Sequence, residues 1–156
     1  MRKRIIRQEP EAGPAGQPWL DVTQLASVEM TSEDPAHPIE AALVPGRGSG
    51  WRADRPGEQV IRLRFDEALR LRRIRLVFQE TQRARTQEFA LRCSPDEGQS
   101  YRQVVRQQYN FSPPDMTQEV EEYPVNLDRV THLELTIVPD ISGGDAPASL
   151  AELRIA

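Results

Sequence analysis

Between Gly50 and Leu153, apolar and polar residues alternate in short runs that turn residues interrupt. In Ile61-Arg62-Leu63-Arg64-Phe65 the apolar side chains share one face of an extended chain and the arginines the other. The same alternation runs through Ile74-Arg75-Leu76-Val77-Phe78 and Phe89-Ala90-Leu91-Arg92-Cys93. A period of two makes half-buried strands, whose apolar faces need a second layer to cover them. The pattern predicts a first strand at 27–30, then strands at 59–65, 74–78, 88–93, 101–109, 119–127, 133–138 and 150–155. About eight short strands at this spacing predict an all-β fold, an antiparallel β-sandwich. Trp51, Phe65, Phe78, Phe89 and Leu135 are its expected interior, with Arg62, Arg64, Arg73 and Arg75 outside.

The segments outside these strands have their own chemistry. Residues 1–18 read as a mobile arm, because Gln8 to Pro18 holds three prolines, two glycines and two glutamates and little to bury. The binding domain is then 19–156. Trp19, Leu20, Val22 and Leu25 suit a short turn or helix, and 39–44 has the spacing of one or two helical turns. Pro35 and Pro38 make 31–38 a loop. The glycine-rich loop 45–50 is no phosphate cradle, since it ends in Trp51 rather than in Lys-Ser/Thr opening a helix.

Composition narrows the function classes. A chain of 156 residues suits one domain with one core. No apolar run approaches the roughly 20 residues of a membrane helix. The basic start, Met1 to Arg7, leads into no apolar stretch and no cleavage pattern, so no secretory signal is expected. Cys93 is the single cysteine, at an inward strand position, and suits a reducing, cytoplasmic setting. Residues 60–106 carry 11 arginines against six acids, and 107–156 two against nine. Either basic and acidic strands pair across the sheet, or a basic face awaits an anionic partner. Nucleic acid is the weaker reading, since no aromatic stripe accompanies Arg62, Arg64, Arg73, Arg75, Arg92 and Arg102. Catalysis is not expected. His37 lies in a proline-flanked loop, His132 lies on an outward register, and no nucleophile–base order is recognisable.

Several segments taken in order resemble the discoidin, or coagulation factor V/VIII type C, family. They are a loop with Ser32-Glu33 and His37-Pro38-Ile39-Glu40, a short apolar turn, Gly50-Trp51-Arg52-Ala53, and Gly57-Glu58 before a strand. Phe89 through Tyr101, with Ser94-Pro95-Asp96-Glu97-Gly98, and the closing Ser149 through Ile155 complete the series. Trp51-Arg52-Ala53, Gly57-Glu58 and Asn110-Phe111-Ser112-Pro113-Pro114 are also similar to the N-terminal domain of the eukaryotic scaffold for DNA single-strand-break repair. Both resemblances imply a galactose-binding-like jelly roll of five and three strands, non-catalytic, binding through loops at one rim. They imply a glycan partner, or alternatively a protein partner in an intracellular complex, and a monomer.

The resemblance places the rim in 31–40, in 79–86, and in either 110–118 or 140–146. His37, Arg83 and Arg85 would then meet sugar hydroxyls, with Phe111 or Tyr109 as an aromatic platform. Arg83 and Arg85 equally suit a solvated hairpin tip, and Trp51 suits a core plug. Thr81-Gln82-Arg83-Ala84-Arg85 offers no apolar spike for a membrane. Many relatives hold a structural calcium through an Asp after the short apolar turn. Here that place reads Val44-Pro45-Gly46, and Glu152 alone matches an acidic position of the metal site. No cofactor is therefore expected, and calcium has a thin basis.

Overall fold

The computed structural model describes residues 1–4 and 18–156, so most of the predicted arm lies outside the described residues. Among the described residues there are two one-turn helices and eight strands: α1 (Val22–Leu25), β1 (Ala26–Met30), α2 (Glu40–Leu43), β2 (Trp51–Pro56), β3 (Gln59–Gln79), β4 (Arg85–Ser94), β5 (Arg102–Phe111), β6 (Gln118–Val138), β7 (Pro147–Leu150) and β8 (Glu152–Ile155). The fold is an antiparallel β-sandwich, as the alternation predicted.

The strands predicted at 59–65 and 74–78 are one continuous strand, β3, and those at 119–127 and 133–138 are one strand, β6. The polar residues between them mark a bend, not a break. Asp66, Glu67 and Ala68 are exposed, and the β3–β6 register slips between Arg64 and Leu69 and again before Arg73. Such bulges turn a strand sharply and increase its twist. The first half of β3 pairs with β1 and with the second half of β6, which β4 and β5 extend into a five-stranded layer. The second half of β3 lies between β8 and the first half of β6 in a three-stranded layer. Pro124 is tolerated in β6 because, among the described residues, that half of the strand has a neighbour on one side only.

Segment 150–155 departs from its prediction in the opposite sense. Leu150 pairs with Trp51 of β2, whereas Leu153 pairs with Leu76 of β3, and Ala151 carries the chain across. At that crossing β2 comes so close that a Cβ on Gly50 would lie 2.4 Å from the Leu150 carbonyl oxygen. With φ at +105°, only glycine suits the position.

All five expected interior residues are buried, and Phe78 of one layer stacks on Phe89 of the other with ring centroids 5.1 Å apart. The charged faces pair across strands: Arg62 with Glu134 at 2.8 Å, Arg106 with Glu88 at 2.9 Å, and Arg75 with Glu122 at 3.2 Å. Arg92 also reaches Glu134. Two outward predictions need correction. Arg73 is buried, with its guanidinium 3.5 Å from the Trp19 ring centroid. His132 stands on the outer register beside Arg64, yet it is buried because the turn after Ser94 folds over it, bringing Gly98 against the ring. Its ring Nδ1 lies 3.2 Å from the Thr131 hydroxyl, and burial beside Arg64 and Arg62 holds its pKa down. At the chain's entry, the Leu20 amide donates to the Ile155 carbonyl at 2.8 Å.

Candidate functional site

A cleft of about 170 Å³ opens where β2 and β7 meet the turn between β3 and β4. Its position follows from local hydrogen bonding. The Arg52 amide donates to the His37 carbonyl at 3.1 Å and the Asp34 amide donates to the Arg52 carbonyl at 2.8 Å, which pins the 34–37 turn beside β2. Alternation along β2 buries Trp51 and turns Arg52 outward. On the opposite wall, the Glu80 carboxylate accepts the Gln82 amide at 3.1 Å and tightens the turn that carries Thr81, Gln82 and Arg83. Ser49 and Ser149 complete a polar lining.

His37 and Arg83, two of the four residues expected at the rim, both line this cleft. The Arg83 guanidinium reaches Asp145 of the 140–146 loop at 2.7 Å, and the 110–118 segment meets the base of the same turn, where the Glu80 amide donates to the Thr117 carbonyl at 2.8 Å. Arg83 and Asp145 are open to solvent, 44% and 90% exposed, and leave the arginine free to exchange partners.

Arg85 and Phe111 do not belong to the cleft surface. Only 1% of the Arg85 side chain is exposed. Its Nε donates to Glu80 at 2.7 Å, and Nη1 donates to the Pro139 carbonyl at 2.7 Å and to Gln87 at 3.3 Å. Phe111 is buried beneath that guanidinium, 4.8 Å from it, and packs edge-on to Tyr109. The pair is a strut that fixes the base of the turn. Burial tends to raise the Glu80 pKa, but the hydrogen bonds from Arg85 and the Gln82 amide win and lower it. Trp51 is a core plug: it is 1% exposed and its indole N–H donates to the Ser32 carbonyl at 3.2 Å.

Glu152 is no metal ligand in this setting. Its carboxylate is bracketed by Arg154 at 3.2 Å and Arg75 at 3.6 Å. Among the described residues no group of three His, Cys, Asp or Glu side chains could hold a metal ion. Calcium needs six to eight oxygens and gains from carboxylates, so the residues present do not fit it.

Arg52, Gln79 and Gln82 line the cleft without having been singled out in the sequence. Arg52 was within reach, since alternation beside a buried Trp51 turns it outward. Gln79 and Gln82 lay within the segment 79–86 expected at the rim, but nothing distinguished them there, because any polar residues would suit a turn.

Against solved structures the chain covers 88% of itself and 99% of a Clostridium perfringens module, CpGH89CBM32-5, in complex with GalNAc-β-1,3-galactose, with a TM-score of 0.67 at 18% identity. The fold is that of the carbohydrate-binding modules of family 32. A second such module, from C. perfringens NanJ in complex with galactose, superposes with a TM-score of 0.65 at 14% identity over 88% of this chain and 96% of that one. Reduced XRCC1 bound to the DNA polymerase β catalytic domain gives 0.63 at 14% identity over 89% and 98%. These structures share the galactose-binding-like sandwich that the motif order implied. No protein-family model and no curated protein matches the sequence.

Proposed function

We propose that this chain is a non-catalytic binding module that takes a glycan in the cleft between β2, β7 and the 79–83 turn. The observation that carries the reading is the convergence of His37, Arg52, Gln79, Gln82 and Arg83 around one small opening. Planar polar side chains can donate paired hydrogen bonds to neighbouring sugar hydroxyls, and a charged donor strengthens them. Two sandwiches of the same fold, solved with galactose and with GalNAc-β-1,3-galactose, support the ligand class. The aromatic ring nearest the opening, Trp51, is closed off, so recognition rests on hydroxyl contacts more than on stacking.

A glycan array followed by titration calorimetry tests this. Binding to a defined sugar that Arg83→Ala abolishes, with the fold intact, supports it. An empty array together with an Arg83→Ala variant that retains every interaction of the parent overturns it.

One observation favours a protein partner instead: the cleft has no open aromatic face, while the XRCC1 structure of similar fold is bound to another protein. In that reading the chain is an intracellular scaffold, consistent with its free buried Cys93 in a reducing compartment. A captured partner that free monosaccharides fail to displace would favour it over the glycan.

A further inference from the structure

The two residues following the short apolar helix, Val44 and Pro45, lack the carboxylate a calcium would need, yet this corner of the fold is not without a cation. Arg154 of β8 is buried there, with 8% of its side chain exposed. Its Nη1 donates to the Ala42 carbonyl of α2 at 2.7 Å and to the Leu153 carbonyl at 3.0 Å. Its Nε faces the Glu152 carboxylate at 3.2 Å, whose other oxygen meets Arg75 at 3.6 Å. Two backbone carbonyls and a carboxylate thus surround one positive charge.

Helix α2 needs such a partner. It is a single turn, Ile39 gives it no side-chain N-cap, and its closing amide bonds run from Leu43 to Ile39 and from Val44 to Glu40. The Ala42 carbonyl belongs to the last turn, where no amide of the helix itself can reach it. A buried carbonyl left unpaired is destabilising, and a cation at a helix C-terminus also favours the helix dipole. The same short helix feeds the 45–50 loop that delivers Gly50, Trp51 and Arg52 to the cleft.

We infer that Arg154 is an internal positioning cation, which clamps α2 to β8 through oxygen ligands and makes the loop leading to the cleft independent of any divalent metal. The fork geometry of guanidinium suits the task, since Nη1 and Nε address the carbonyls and the carboxylate at once.

The test uses thermal unfolding and amide exchange of the purified chain and involves no sugar, so it stands apart from the glycan reading. EDTA and added calcium are expected to leave the wild-type midpoint unchanged. Arg154→Ala should lower it and quicken exchange at Leu43 and Val44 by at least about tenfold. Millimolar guanidinium should restore part of the midpoint and the protection, where equal sodium chloride does not. Arg154→Met, whose stem fills the hole, should show no such rescue. A calcium-dependent rise in the wild-type midpoint overturns the inference, and so does an Arg154→Ala variant as stable as the parent. If Arg154→Ala does not fold, Arg154→Lys decides: a midpoint above that of Arg154→Met supports a cation clamp, and equality with it refutes one.

Discussion

Glu80 and Arg85 face each other across the turn between β3 and β4 at 2.7 Å, the arginine side chain 1% exposed and the glutamate 15%. Removing one partner of a buried pair strands the other charge, at a cost of about 3–5 kcal/mol. Arg85→Ala should therefore lower stability to urea by about 3 kcal/mol and disturb the cleft indirectly. Arg83→Ala, two residues away, should change stability by less than about 0.5 kcal/mol, and under the proposed glycan reading its effect falls on binding. Equal destabilisation by the two substitutions would refute the distinction between a buried strut and an exposed cleft side chain.

Glu119 sets an alkaline limit. Burial, reinforced by Glu121 beside it, pushes its pKa up to about 8, and one of its carboxylate oxygens has no hydrogen-bond partner among the described residues. The folded chain holds this proton up to that value, whereas an unfolded glutamate gives it up near 4.3. Its contribution is whole below the unfolded value and shrinks as pH climbs from there toward 8. Denaturation midpoints should decline across that window, and Glu119→Gln should flatten the decline and stabilise the protein at its upper end.

Glu134 sets the acid limit with the opposite sign. Burial works against its charge, but Arg92 and Arg62 outweigh that and lower its pKa. Stability from this group is present above the unfolded glutamate value and lost as pH falls through the lower, folded one. Glu134→Gln should be destabilising at neutral pH and blunt the acid limb of the stability curve.

Gly50→Ala would push a methyl group against the Leu150 backbone at a φ that L-residues avoid. A loss of at least about 2 kcal/mol is expected. Altered amide shifts should concentrate at the Trp51–Leu150 pair and in the cleft, and a silent substitution would show that β2 and β7 approach less closely than described.

The sequence made one kind of information easy to read and hid another. Alternation at Ile61 to Phe65 and at Phe89 to Cys93 placed the core directly, because a side chain's face depends only on parity along an extended chain. Continuity of β3 through Asp66 and Glu67 was illegible, since an exposed bulge and a loop draw on the same residue types. The cleft divided likewise. Motif order placed His37, Arg83 and Arg85 at one rim, but Arg85 carries the same charge as Arg83, and only the distant Pro139 carbonyl and Phe111 ring explain why it is buried while Arg83 stays exposed beside Asp145. Burial of His132 and Arg73 also depends on segments remote in sequence, the turn around Gly98 and the indole of Trp19.

The bond from the Leu20 amide to the Ile155 carbonyl brings the strand-bearing body in and out at one spot, and the final residue is held there by the amides of Arg72 and Arg73. Gln79, at the cleft, lies at the other end of that stretch of β3. An attachment made at that spot leaves the opening pointing away from it. Attached this way to a bead or sensor surface, the sandwich would present its cleft outward.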